Sequence, residues 1–110
     1  MGIFAVGDVV ILPFPFSDLS SRKLRPAVVV AKADFSDLIF CQITSKDRSE
    51  NGAIKLTPNN FKHGGLNLTS YARPDKLFTG DESIIVNTYG QLDDSTRQDL
   101  LSSIIALFKY

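Results

Sequence analysis

The chain has 110 residues, twelve basic and twelve acidic side chains, and an apolar share of 44%. That length suits one domain with its own core, expected over residues 1–110. Zero net charge excludes a uniformly basic nucleic-acid binder but leaves room for a local basic patch, because screening limits charge effects to about 8 Å at physiological salt. The single cysteine, Cys41, excludes an internal disulfide, and the lack of a Cys/His cluster excludes a zinc site. No apolar stretch approaches the roughly 20 residues that cross a bilayer, and no secretion signal opens the chain. A cytoplasmic protein with no cofactor and no membrane attachment is therefore expected.

The elements are expected in this order. Val9 to Leu12 reads as a first strand, ended or distorted by Pro13 and Pro15, which lack ladder donors. Pro26 to Lys32 is almost continuously apolar and β-branched, as in a central strand. Asp34 to Asp37 makes a turn into a third strand, Leu38 to Thr44. Its Ile39, Cys41 and Ile43 share one face, and Leu38, Phe40 and Gln42 the other. Cys41 sits in that apolar run and reads as a buried, inert thiol.

Lys46 to Gly52 is a polar loop and Ala53 to Leu56 a short strand. Asn59 to Gly65 reads as a polar turn, with Gly64-Gly65 supplying positive φ. Leu66 to Ala72 alternates as a strand, Pro74 interrupts, and Lys76 to Phe78 continues it. Ile84 to Val86 reads as a last strand, closed by Gly90. Asp93, Asp94 and Ser95 offer helix caps. Leu100, Leu101, Ile104, Ile105 and Phe108 then repeat at helical spacing, as a stripe expected to pack on the sheet. The class is mainly β: a small, strongly bent barrel partly covered by a C-terminal helix.

Arg25 carries the functional reading. It closes a loop with Arg22 and Lys23 and stands directly before Pro26, at the mouth of the central strand. A charge fixed there suits a phosphate. Thr44 and Ser45 end the next strand, and Lys46 follows them. On an extended backbone Arg73 and Asp75 face one way, as a catalytic pair or as a surface ion pair worth at most about 1 kcal/mol. Phe14 and Phe16 are either barrel-plugging aromatics or a base-stacking platform. The lone histidine, His63, reads as an exposed turn residue.

These residues together resemble the PemK/MazF toxin family of type II toxin–antitoxin systems. The resemblance rests on Gly7-Asp8-Val9-Val10, the Pro-Phe-Pro-Phe-Ser-Asp-Leu-Ser loop, Arg25-Pro26-Ala27-Val28-Val29, Ile43-Thr44-Ser45, Arg73-x-Asp75 and Gly90-x-Leu92. It implies an SH3-like antiparallel barrel with a C-terminal helix, a homodimer, and metal-independent endoribonuclease activity. It also implies a small antitoxin whose disordered tail covers the RNA groove. Carried over residue by residue, it implies catalytic roles for Arg25, Thr44, Arg73 and Asp75, with Thr44 at the scissile phosphate and Ser45 beside it.

RNA supplies its own nucleophile, since its 2′-OH attacks the neighbouring phosphorus to give a 2′,3′-cyclic phosphate; DNA lacks that group. Arg25 is expected to stabilise phosphorane charge through its guanidinium fork. Thr44 adds a hydrogen bond, and Asp75 takes the 2′-OH proton, although Arg73 beside it weakens it as a base. Arg22, Lys23, Ser45, Lys46 and Phe16 complete the expected contact set for single-stranded RNA. The alternative is a catalytically degenerate barrel of the same type that only binds RNA or an antitoxin.

Overall fold

The computed structural model describes residues 3–14 and 23–109. Its strands are β1 (Asp8–Pro13), β2 (Leu24–Lys32), β3 (Asp37–Thr44), β4 (Ile54–Leu56), β5 (Phe61–Gly64), β6 (Ser70–Asp81) and β7 (Asn87–Leu92), followed by helix α1 (Asp94–Ala106). They pair antiparallel in one curled sheet, in the order β4-β6-β3-β2-β1-β7-β5. This is the mainly β, bent architecture with a C-terminal helix that the sequence predicts.

The central strands are apolar on both faces because both faces are covered. Val28, Val30, Cys41 and Ile43 point to one cluster, which Leu92 and Leu100 complete. Val10, Leu12, Ala27, Val29, Leu38 and Phe40 point to the other. The two expected faces of β3 are thus both core. Phe78 anchors the second cluster, stacked on Phe40 at 5.1 Å and edge-on to Phe14 at 4.7 Å. Each valine, leucine, isoleucine or phenylalanine so buried contributes roughly 1.5–3 kcal/mol.

Asp93 caps α1, its carboxylate accepting from the Thr96 N–H at 2.8 Å. Of the expected stripe, Leu100 is fully buried and Leu101 and Ile104 pack at the cluster's edge. Ile105 and Phe108 are exposed, at 54% and 72%. The helix ends at Ala106, so Phe108 lies past the last turn that faces the sheet.

Three expected segments differ from the structure. The polar turn over Asn59 to Gly65 holds a 3-10 turn, Pro58–Asn60, and then β5. β5 pairs with β7 through two glycines in register, and a Cβ at Gly64 would lie 2.1 Å from the Tyr89 carbonyl oxygen. The pairing depends on bare backbone at that crossing, with Gly64 at φ +72°. The strand expected at Ile84 to Val86 is shifted: Glu82–Ile84 form a 3-10 turn, and the strand runs from Asn87 through Gly90. Ile84 and Ile85 instead lie against the second cluster. Finally, the strand expected from Leu66 starts only at Ser70 and continues past Pro74.

Pro74 is tolerated because β6 bulges. Cys41 pairs with Leu77 and Ile43 with Ala72, so Gln42 alone opposes the stretch Arg73-Pro74-Asp75-Lys76. Extra residues in a bulge leave the ladder, and the missing proline N–H is not needed there. The Arg73 carbonyl accepts from the Cys41 thiol at 2.9 Å instead. Burial pushes that thiol up to about 12, so it is the inert, buried cysteine expected.

Candidate active site

At the start of β2 and the end of β3, the sheet face that carries the second cluster turns from apolar to polar. The register sets Ala27 opposite Gln42, and continuing it by two residues brings Arg25 across from Thr44. On either side, Leu12 pairs with Arg25 and Tyr71 with Thr44. An open hollow of about 200 Å³ forms there. Phe14 and Gln42 come from beneath, and Arg25 and Thr44 from the strand ends. The β6 bulge adds Arg73 and Lys76, and the loop after β3 adds Lys46 and Arg48.

Among the described residues that line it, five are cationic and none is a carboxylate. Among the described residues, Arg25, Lys46 and Arg48 form no ion pair. Like charges gathered in one concavity repel each other and focus a field that an anion relieves. A protein of zero net charge therefore keeps a strongly basic spot.

A second hollow of about 520 Å³ shares Arg25, Thr44 and Lys46 with the first. Lys23 and Ser45 line this one, with apolar Leu24, Pro26 and Leu68 and the polar tips of Asn67 and Tyr89. Alternation along β2 and β3 explains the split, since neighbours of Arg25 and Thr44 point to the other face.

Thr44 also makes the local turn that Thr and Ser favour: its Oγ1 accepts from the Lys46 backbone N–H at 3.2 Å. The hydroxyl proton remains available to donate. Arg73 grips Asp75 with two bonds, Nε to Oδ1 at 3.3 Å and Nη2 to Oδ2 at 3.2 Å. The hydrogen bonds from Arg73 lower the Asp75 carboxyl below its ordinary value. Asp75 lines a different recess, beside Ser103 and Leu107 at the end of α1.

Of the sequence-predicted residues, Arg25, Thr44, Arg73 and Lys46 thus share one hollow, and Lys23 and Ser45 line the adjoining one. Asp75 touches the first only through Arg73. Phe14 is buried in the second cluster and lines the hollow. Arg22 and Phe16 lie outside the described residues. Sequence reasoning missed Gln42, Arg48, Lys76 and Asn67. One signal was present: Gln42 is the polar interruption in an otherwise apolar run from Leu38 to Ile43.

A curled β sheet with a cationic hollow at its strand ends has a geometry that suits an anion. Residues 5–108 match the family of PemK-like, MazF-like toxins of type II toxin-antitoxin systems, and the chain belongs to that family. Solved structures agree in fold. A Deinococcus radiodurans MazF superposes with a TM-score of 0.74 at 15% identity, covering 97% of each chain. An endoribonuclease in complex with its cognate antitoxin, from a mycobacterial species, gives 0.71 at 14% identity, covering 96% of this chain and 93% of that one. The Mycobacterium tuberculosis toxin MazF-mt6 gives 0.71 at 18% identity, covering 92% and 95%. No curated protein sequence matches the chain. Among the described residues, no helix is long and apolar enough to cross a membrane.

Proposed function

We propose that this single domain is the toxin of a type II pair and a metal-independent endoribonuclease that cuts single-stranded RNA in the cytoplasm. The observation that carries the reading is the first hollow, where Arg25 and Thr44 meet among five cations. The fold neighbours include an endoribonuclease bound to its cognate antitoxin, which supports the class of activity and the class of partner.

In this reading Arg25 and Arg73 hold the two non-bridging oxygens of the scissile phosphate, each offering a planar fork of donors. The Thr44 hydroxyl donates a further bond. The 2′ oxygen bonds to phosphorus while the bond from phosphorus to the 5′ oxygen breaks. The 2′ proton passes to solvent, and the 5′ oxygen takes one from it. Preorganised donors aimed at the developing charge supply the main acceleration, on the order of 3 kcal/mol each. Asp75 keeps the Arg73 fork in place: it stands outside the hollow, and Arg73 reduces its basicity. Lys46, Arg48, Lys76 and Lys23 steer the backbone toward the site. The partners are the RNA, an antitoxin segment that covers the same cations, and a second copy of the chain.

The test is digestion of single-stranded RNA in excess EDTA. RNA is expected to be cut to 2′,3′-cyclic phosphate and 5′-OH ends while matched DNA stays intact. Arg25→Ala is expected to slow cutting about a hundredfold or more with an unchanged melting temperature. Intact RNA after long incubation, together with measurable binding, would establish the degenerate binder instead.

A further inference from the structure

We propose that Gln42 reads the ribose 2′-hydroxyl, making it the residue that distinguishes RNA from DNA at the binding step; this rests on the RNA reading above. Gln42 is 9% exposed and lines the first hollow. Its amide has no hydrogen-bond partner among the described residues, and no buried side-chain polar atom there lacks a partner, so the amide is reached from the hollow. A carboxamide offers two donors and one acceptor. Donors are in surplus around it, since five cations line the same space.

Acceptors are scarce. Arginine and lysine have none, and Thr44 Oγ1 already accepts from the Lys46 N–H, which leaves it one lone pair. Asp75 lines another recess and is occupied by Arg73. Among the described residues that line the hollow, the Gln42 carbonyl is thus the side-chain acceptor with no donor of its own. A phosphate has no proton to give it at neutral pH, whereas a ribose hydroxyl beside that phosphate does. The bulge enforces the arrangement, because Gln42 alone faces the Arg73–Lys76 stretch and lies between the two arginines. Gln42 is a positioning residue for the nucleophile in this scheme: it orients the hydroxyl and takes up no proton.

The test compares binding of random-sequence ribo- and deoxyribo-decamers, measured by fluorescence polarisation on ice with probe length checked afterwards. One neutral hydrogen bond corresponds to about a fivefold ribose preference. Wild type is expected to show at least that preference. Gln42→Leu and Gln42→Met are each expected to bring it within about twofold of unity by weakening ribose binding alone, since the cations hold the deoxyribo-decamer equally well in all three. Melting temperatures check that both variants fold, and the ratio of the two affinities is unmoved by a general loss of structure. A ribose preference that survives in a folded variant overturns the role of Gln42 and leaves the RNA reading standing. Equal wild-type binding of both decamers overturns it as well. Wild type that binds neither overturns the RNA reading itself.

Discussion

Replacing Asp75 with Asn separates two jobs for the Arg73–Asp75 pair. The pair is bidentate, with side chains 20% and 51% exposed. A pair so open to solvent is worth at most about 1 kcal/mol, so the melting temperature of Asp75→Asn is expected to fall by less than roughly 8 °C for a domain of this size. The catalytic cost depends on the role. If Asp75 only fixes the Arg73 fork, its loss frees one long side chain, which costs up to about 2 kcal/mol of ordering and so up to about thirtyfold in rate. If Asp75 is the general base, about a hundredfold to ten-thousandfold is at stake. Because Arg73 lowers the Asp75 carboxyl, the smaller loss is expected. The assay is the cutting rate of a fixed RNA across pH, with Arg73→Ala and the double variant in parallel. The double variant should be no slower than Arg73→Ala alone, since both changes remove one unit. A loss beyond about a hundredfold, together with disappearance of the acid limb of the pH profile, would refute this assignment and make Asp75 the base.

Two further outcomes are expected from the core and the surface. Leu100→Ala removes a side chain that is 1% exposed, so it should cost about 2–5 kcal/mol and lower the melting temperature by more than about 10 °C. Phe108→Ala, at a position 72% exposed, should change the stability of the isolated chain by less than about 0.5 kcal/mol. Asp81 is held down to about 2 from 3.8, by its bonds from Ser36 first and Ser83 next. A depressed carboxylate stabilises the fold above its ordinary value and loses that contribution as pH falls toward the folded one. Ser36→Ala should therefore raise the Asp81 titration toward 3.8, followed by carbon-13 NMR, and shrink the stability that wild type loses as pH falls from that value to about 2. An unmoved Asp81 would show that Ser36 is not what holds it.

The legible parts of this chain are those where side chains announce burial. The Val28–Val30 run and the alternation of Leu38 to Ile43 mark strands with both faces covered. Asp93 followed by a spaced apolar pattern marks the helix. β5 was illegible because its pairing is made by backbone at two glycines, while its side chains are largely exposed. β7 was displaced in the reading because its start, Asn87 to Tyr89, is exposed, whereas the more apolar Ile84 and Ile85 plug the core from a turn. The meeting of Arg25 and Thr44 was readable, since each ends a strand and those strands are consecutive. The contributions of Lys76 and Gln42 were not, because they depend on a bulge whose size no local pattern states.

Cys41 gives that bulge an unusual property. Its sulfur is covered, bonded to the Arg73 carbonyl, and far from ionising at neutral pH. Thiol-reactive dyes attack the thiolate, so they must wait until the first core cluster opens around the sulfur. The pace of labelling then becomes an internal clock for opening of the core on which the Arg73 segment is anchored, readable in the unmodified protein without any engineered probe.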